Sequence, residues 1–137
     1  MTEDCIFCKI IKGEIPSTKI YEDDKVLAFL DINPISQGHT VVIPKLHAKN
    51  LFDFPDESFD YFFKRLKEIA VMIKKNLKAD GMNILQNNER AAGQVVDHIH
   101  FHIIPRWHGD GLFKSVFKKK IDITTEELKT TAKRIKS

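Results

Sequence analysis

Three histidines alternate with apolar residues in the segment 98–104, which reads HIHFHII. Side chains alternate across a β-strand, so His98, His100 and His102 would share one face, about 7 Å apart along the strand. The Ile and Phe side chains between them would share the other face and could pack in a core. A strand can form without such a row of imidazoles, so the pattern indicates a functional surface that faces a cleft or a partner.

Two kinds of chemistry use a row of imidazoles. The first is metal binding, because imidazole is a common zinc ligand and a His-x-His pair can chelate one ion. The second is phosphoryl or nucleotidyl transfer, in which one neutral imidazole attacks phosphorus while its neighbours orient it and protonate the leaving group. The spacing of the histidines alone leaves both open.

Both cysteines of the chain lie in one motif, Cys5-Ile6-Phe7-Cys8. In a reducing compartment this spacing indicates a metal site or a redox pair before a structural disulfide. A thioredoxin-like motif would follow a strand, but only four residues precede Cys5. A zinc site would need two further ligands, and the histidine spacing of a C2H2 zinc finger does not follow the pair.

These residues must be positioned by a fold of strands and one long helix. Apolar residues recur at helical spacing over residues 56–79, which predicts an amphipathic helix, and a second helix is predicted at about 124–136. The short connections between most strands favour antiparallel pairing. We therefore expect an α+β domain, a meander-like antiparallel sheet with the long helix packed on it. Its strands are predicted at residues 25–32, 39–43, 82–86 and 98–104.

The composition of the 137-residue chain is typical of one globular domain, with 42% hydrophobic and 30% charged residues. The net charge of +3 is too small to predict nucleic-acid binding. The acidic start, residues 1–4, lacks the apolar segment of a signal peptide, and no apolar stretch is long enough to span a membrane. We expect a cytoplasmic protein without membrane or nucleic-acid partners.

The histidine segment and its surroundings resemble the histidine triad (HIT) family of nucleotide hydrolases and transferases. The resemblance rests on His-x-His-x-His followed by apolar residues, and on three blocks in the family's order. These blocks read CIFCKIIKGEIPSTKIYEDDKVLAFLDINP, GHTVVIPKLH and NILQNNERAAGQVVDHIHFHIIPR. They indicate a single HIT domain over residues 1–137, with a core at about 5–106 and a variable tail at 107–137.

The resemblance implies an enzyme that cleaves purine nucleoside phosphoramidates or (di)nucleoside polyphosphates at the α-phosphate. The central histidine of the family is the nucleophile, which is His100 here, and it would form a covalent nucleotidyl-histidine. The carbonyl of His98 would hold the other ring nitrogen of this nucleophile. His102 would contact the phosphate oxygens or the leaving group with support from His39, and Gln94 would donate hydrogen bonds to the phosphate.

The resemblance also implies a nucleotide-binding site built from two groups of residues. The group that ends the first block would enclose the base, and Asp31 would bind both ribose hydroxyls. The group in the polar loop before the triad would bind phosphate through side-chain amides and a closely approaching backbone. The first group is Phe29, Leu30, Asp31 and Ile32, and the second is Asn87, Gly93, Gln94 and Val95, while His100 and His102 would contact the phosphate directly.

For the cysteine pair, the resemblance implies a structural zinc site. Family members with this pair bind zinc through both cysteines, a histidine after the second block and the first triad histidine, which are Cys5, Cys8, His47 and His98 here. Four such ligands leave no open position for a substrate. We expect no organic cofactor. We expect the protein to form a homodimer. Asp97 stands where the family usually has an apolar, small or aromatic residue, so no role follows for it.

Two other functions remain open at this point. One is a nucleotide-binding adaptor whose hydrolysis is vestigial. The other is a metallohydrolase that uses His98, His100 and His102 together as a three-histidine metal site.

Overall fold

The computed structural model describes residues 3–112 and 120–137 of the chain, so part of the predicted tail lies outside it. Within these residues there are one sheet of five strands and three α-helices. The strands are β1 (Lys19–Glu22), β2 (Val26–Leu30), β3 (Thr40–Pro44), β4 (Gly81–Gln86) and β5 (Phe101–Arg106). The helices are α1 (Ile6–Ile11), α2 (Phe59–Leu77) and α3 (Thr125–Lys136).

All neighbouring strands are antiparallel, in the order β1-β2-β3-β5-β4. The α+β class and the antiparallel sheet are therefore confirmed. The sheet is nevertheless not a simple meander, because β5 pairs with β3 and leaves β4 at the edge. The helix α2 lies between β3 and β4 in the chain, and this long connection lets the chain skip one position in the sheet.

The helix α2 confirms the predicted helix at 56–79. A 3₁₀ turn, Asp56–Ser58, leads into it, and Lys78 ends it in the left-handed conformation with a φ of 53°. The predicted helical spacing places one apolar face of α2 against the sheet. Burying one Phe, Leu or Ile side chain stabilises the fold by about 1.5–3 kcal/mol. The buried residues of this face are Phe62, Leu66, Ile69 and Ile73.

Apolar clusters cover both faces of the sheet. The first cluster packs α2 against β2 and β3 and includes Ile99, Phe101 and Ile103, as the alternation in the histidine segment predicts. The second cluster lies on the opposite face, where α1 packs against the other side chains of the same two strands. The histidines therefore lie on the face that α1 covers in part. The buried members of this second cluster are Ile10, Leu27, Phe29, Val41 and Ile43.

The histidine segment differs from its prediction at both ends. The strand β5 begins at Phe101 rather than His98, and the Ile99 amide donates to the Ala48 carbonyl at 2.8 Å instead of to a strand. Pro105 lies within β5 and does not end it. The pairing of β5 with β3 stops at Ile103, so the proline occupies a stretch that pairs with β4 only, where a missing N–H is tolerated.

Three shorter observations complete the fold. The sequence pattern does not predict α1, which has six residues, or β1, which has four. The C-terminal helix α3 begins one residue after its predicted start and is capped by the Thr124 side chain, which accepts from the Glu127 amide at 3.1 Å. In the described part of the chain, no helix has the length and apolar character needed to cross a bilayer.

Candidate active site and metal-binding cluster

Four side chains from three parts of the chain meet beside the first turn of α1. Cys5 precedes α1 and Cys8 lies three residues later, which puts both sulfurs on one side of the helix. The Cys8 amide donates to Cys5 Sγ at 3.3 Å. His47 follows β3 and His98 precedes β5. One donor atom from each of the four residues lies within 4.8 Å of the other three.

The geometry of this group fits a tetrahedral metal ion. His98 Nδ1 lies 3.4 Å from Cys5 Sγ, 3.6 Å from Cys8 Sγ and 3.2 Å from His47 Nδ1, and Cys8 Sγ lies 3.3 Å from His47 Nδ1. A tetrahedron with metal–ligand bonds of about 2.0–2.3 Å has edges of roughly 3.3–3.8 Å. The four residues that the sequence singled out can therefore hold a metal such as zinc.

The ring of His98 is oriented for this role by the backbone. Its Nε2 lies 2.8 Å from the Pro44 carbonyl, which can only accept, so Nε2 carries the proton and Nδ1 keeps the lone pair. The pKa of His98 is lowered to about 4, mainly by burial; the Pro44 hydrogen bond opposes this shift, and the neighbouring His47 and His100 add to it. A neutral imidazole with its other nitrogen hydrogen-bonded is the usual form of a metal ligand.

The ring of His100 carries its proton on the other nitrogen, Nδ1, in contrast to that of His98. Its Nδ1 lies 2.7 Å from the carbonyl oxygen of His98, so Nδ1 carries the proton and Nε2 keeps the lone pair. The side chain is buried, with 7% of its surface exposed, and the edge of the Phe7 ring contacts it at a centroid distance of 5.1 Å. His100 thus has a single nucleophilic nitrogen in a mainly apolar setting.

The ring of His102 is held by a chain of two hydrogen bonds that begins at the backbone. The Ile35 amide donates to His39 Nδ1 at 3.0 Å, so the neutral His39 ring carries its proton on Nε2. That nitrogen lies 2.9 Å from His102 Nδ1, which must therefore accept. It follows that His102 carries its own proton on Nε2. The structure thus brings His39 beside the triad, as predicted.

Burial keeps these three imidazoles neutral. Desolvation is the main cause that lowers the pKa of His39 and His100, and the Asp31 carboxylate opposes the shift in both. Desolvation also lowers the pKa of His102 to about 4, with added contributions from His100 and His39. At neutral pH the proton positions therefore follow from the hydrogen bonds alone.

Asp31 lies at the edge of the histidine group. Its Oδ2 is 3.5 Å from His39 Nε2, and its Oδ1 accepts from the Asn33 amide at 2.8 Å. The carboxylate is partly exposed and has lone pairs left for further donors. The predicted ribose-binding residue therefore lies next to the histidines and remains accessible.

The other residues predicted to enclose a base divide into one buried and two accessible side chains. Phe29 is buried in the second apolar cluster and packs edge-on against Phe7 at 5.6 Å between ring centroids. Leu30 is half-buried, and Ile32 is 91% exposed. Phe29 therefore contributes to the core, while Ile32 can contact a ligand.

The predicted phosphate loop contains Asn87, Gly93 and Gln94. Gly93 has a φ of 90°, which glycine adopts without strain, and a Cβ at this position would lie 3.8 Å from Asn87 Nδ2. These two predicted phosphate contacts therefore lie together. The side chain of Val95 is exposed, in keeping with a role for its backbone amide alone.

Gln94 has partners that the sequence did not predict. The side chain is 1% exposed, its Nε2 donates to the carbonyls of Lys49 at 2.6 Å and Val96 at 2.9 Å, and its Oε1 accepts from the Glu89 amide at 2.8 Å. Both amide hydrogens are already used. Gln94 therefore braces the loop in this structure, and its contact with phosphate stays a prediction.

The three triad histidines do not converge on one metal. His98 belongs to the cysteine cluster, whereas His102 groups with Asp31 and His39 in a separate cluster of donor atoms. The Nδ1 of His100 is used by a carbonyl. This division does not favour the three-histidine metallohydrolase.

Asp97, for which the sequence offered no role, pairs with Arg90. The guanidinium donates to both carboxylate oxygens, at 2.9 and 3.2 Å, and also to the Gln94 carbonyl. The pair joins the two ends of the loop, and both residues line a cavity together with Cys5 and His47. Both side chains are exposed, so the pair adds little to stability.

Comparison with known proteins decides the family. Residues 12–109 match the HIT domain. The chain belongs to the HIT family. It is 51% identical over 128 residues to an uncharacterized HIT-like protein of Methanocaldococcus jannaschii, covering 91% of this chain and 98% of that protein. An adenosine 5′-monophosphoramidase of Candida albicans is 47% identical over 106 residues, which cover 74% of this chain and 70% of that enzyme.

A solved structure shows the same fold. The crystal structure of a HIT family member from Bacillus subtilis superposes with a TM-score of 0.88 at 46% identity, and the match covers 98% of this chain and 96% of that one. The predicted family and fold are thereby confirmed.

Two groups that position the site were missed by reasoning from the sequence. Phe7, inside the cysteine motif, contacts both His100 and His98 with its ring edge. The Ile35 amide fixes the proton on His39. The position of Phe7 between the two cysteines was a signal that it lies near the site. The sequence carries no signal for the contact of the Ile35 backbone amide.

Proposed function

We propose that this HIT protein hydrolyses purine nucleoside phosphoramidates or (di)nucleoside polyphosphates at the α-phosphate through a nucleotidyl-His100 intermediate. The observation that carries the proposal is the hydrogen bond from His100 Nδ1 to the His98 carbonyl, which leaves the Nε2 lone pair as the nucleophile. The similarity to an adenosine 5′-monophosphoramidase supports the class of substrate.

The reaction proceeds in two steps. His100 Nε2 forms a bond to the α-phosphorus while the bond to the leaving group breaks, and an amine leaving group takes up one proton from the solvent. Water then adds a hydroxyl to phosphorus, which releases the nucleoside monophosphate, the neutral imidazole and a proton. His102, with its own proton on Nε2, donates a hydrogen bond to a phosphate oxygen or to the leaving atom.

The nucleotide contacts follow the predicted groups. Asp31 accepts hydrogen bonds from the ribose hydroxyls, because its carboxylate is accessible beside the histidines. Ile32 contacts the base with Phe29 behind it, whereas Leu30 lines a cavity with Ile73 and Leu77 of α2 on the opposite face of the sheet, so its predicted contact with the base has no support. The phosphate is bound by Asn87, Gly93, the Val95 amide and Gln94. Gln94 can bind it only by exchanging one of its present hydrogen-bond partners.

The intermediate provides the decisive test. Rapid quench with radiolabelled adenosine phosphoramidate should place acid-labile label on the wild-type protein. His100→Ala should remove the label and lower kcat by roughly 10⁴-fold or more, because the nucleophile is lost. His108→Ala, which removes an exposed imidazole from the loop after β5, serves as the control and should keep both label and turnover.

Other outcomes of this experiment would contradict the proposal. Turnover retained by His100→Ala would exclude the covalent route. Tight nucleotide binding without turnover or label on any substrate would instead identify a binding adaptor. Loss of all activity on chelation, in a protein that stays folded and unlabelled, would identify a metallohydrolase.

We also propose that Cys5, Cys8, His47 and His98 bind one structural zinc ion per chain. The set supplies four donors and no open position, so the metal would tie the start of the chain to the segment before β5 and take no part in the reaction. The support is the tetrahedral spacing of the donor atoms together with the oriented ring of His98.

Removal of one ligand tests the zinc proposal. Cys8→Ser should abolish zinc binding measured by elemental analysis and cost about 3 kcal/mol of stability, which lowers Tm by roughly 10 °C. His108→Ala should retain one zinc per chain. A wild-type protein that binds no zinc, or a Cys8→Ser protein with unchanged Tm, would contradict the proposal.

We further propose a homodimer in which β4 faces a second copy. Among the residues that the structure describes, this strand lies at the edge of the sheet and pairs with β5 alone, and its Ile84 and Leu85 side chains are 47% and 43% exposed. An open edge with apolar side chains favours association with another chain.

Sedimentation tests the dimer. The wild type should sediment at twice its chain mass of 15.8 kDa, and Leu85→Lys should shift it toward the monomer because it places a charge in the interface. The Leu46→Lys change after β3 is the matched control, because Leu46 is 48% exposed and lies outside both β4 and α2. A monomeric wild type at micromolar concentration would exclude this dimer.

A further inference from the structure

Four consecutive residues after β3 connect the metal cluster with the predicted phosphate loop. His47 is one of the four metal-cluster residues. The Ala48 carbonyl accepts from the Ile99 amide at 2.8 Å, and the Lys49 carbonyl accepts from Gln94 Nε2 at 2.6 Å. The fourth residue, Asn50, contacts the loop through its side chain. This segment, residues 47–50, therefore braces the histidine segment and the loop together.

Asn50 is a buried polar side chain with two separate sets of partners. Its exposed fraction is 2%. Its Oδ1 accepts from the Phe52 amide at 3.0 Å and caps a 3₁₀ turn, Leu51–Asp53. Its Nδ2 donates to Glu89 Oε1 at 3.0 Å and lies 3.4 Å from Gln94 Oε1. The first set is a local cap, and the second joins two parts of the chain that are about 40 residues apart.

The loop needs such a brace because Glu89 has an unfavourable backbone conformation. Its φ of 72° and ψ of 161° lie in a region that residues with a side chain rarely adopt, so the backbone is strained there. Both ends of the residue are held, since its amide donates to Gln94 Oε1 and its carboxylate contacts Asn50 Nδ2 and Lys49 Nζ. Without these contacts the loop would relax.

We propose that Asn50 is a positioning residue for the reaction, acting on the phosphate loop through Glu89 and Gln94. The path to the chemistry is short. Gln94 Nε2 also donates to the Val96 carbonyl at 2.9 Å, two residues before His98, whose own carbonyl holds the nucleophile. The inference rests on the proposed function, because the loop must bind the phosphate for its position to affect the rate.

Two substitutions separate the cap from the brace. Serine accepts a hydrogen bond at a helix N-terminus almost as well as asparagine, so Asn50→Ser keeps the cap, but it lacks the amide that reaches Glu89 and Gln94. Asn50→Ala removes both. Asn83→Ala is the matched control, because it removes a partly buried asparagine whose Oδ1 accepts from Arg106 at 2.7 Å, away from the loop.

The experiment measures kcat, KM, Tm, zinc content and the amide exchange rate of Glu89 in each variant. We expect Asn50→Ser and Asn50→Ala to lower kcat by roughly 10- to 100-fold with KM changed by less than about threefold. The Glu89 amide should exchange faster in both. Asn50→Ala should lower Tm by several degrees more than Asn50→Ser, because only Asn50→Ala also loses the cap. Asn83→Ala should keep wild-type kcat and KM.

Two results would overturn the inference. One is an Asn50→Ser protein with wild-type kcat, which would make Asn50 a cap alone. The other is a fall in kcat that comes with equal losses of Tm and zinc in both variants, which would make its role purely structural. Failure of the proposed function gives a different pattern, because the wild type would then show no turnover of adenosine phosphoramidate. The inference then falls with the proposed function, even if the Glu89 amide still exchanges faster in both variants.

Discussion

The hydrogen bond between the His98 carbonyl and His100 Nδ1, 2.7 Å long, determines which nitrogen of the central histidine can react. A free imidazole exchanges its proton between two nitrogens, whereas a carbonyl partner accepts only and so holds the proton on one of them. The rest of the site is arranged around this contact. The Phe7 ring packs against the His100 ring, and the segment before β5 fixes the direction of the carbonyl.

His98 connects the metal cluster with the reaction through a single residue. Its ring belongs to the cysteine cluster and is oriented by the Pro44 carbonyl, while its own carbonyl orients His100. A metal ion bound to the ring would therefore restrict the backbone that holds the nucleophile, without touching the substrate. Of the three triad histidines, His98 and His102 keep the lone pair on Nδ1, whereas His100 keeps it on Nε2. The backbone sets the proton position in His98 and His100 directly and in His102 through His39.

Much of this arrangement could be predicted from the sequence, because it depends on periodicity. The alternation at residues 98–104 assigns Ile99 and Phe101 to the core and the histidines to the opposite face, and the helical spacing gives α2. The grouping of Cys5, Cys8, His47 and His98, which the family resemblance implied, is present in the structure as one cluster of donors. The core residues and α2 follow from the periodicity of the side chains. The donor cluster follows from the motifs that the chain shares with the family.

The remainder depends on backbone groups and long-range contacts, which the sequence does not display. The short helix α1 is stabilised by its packing on β2 and β3 rather than by its own pattern. The proton positions on His39 and His102 are set by a backbone amide, and the buried Gln94 side chain donates to the carbonyl of Lys49, which lies 45 positions away in the chain. A single sequence carries no signal for the contacts of Asn50 with Glu89 and Gln94, because these residues lie about 40 positions away.

The proposed reaction requires that His100 is a neutral imidazole with its proton on Nδ1. Long-range ¹H–¹⁵N NMR of the imidazole nitrogens at neutral pH measures this directly, with His100→Ala used to assign the signals. We expect a protonated, pyrrole-like Nδ1 and an unprotonated, pyridine-like Nε2 for His100. A proton on Nε2, or two protonated nitrogens, would contradict the account.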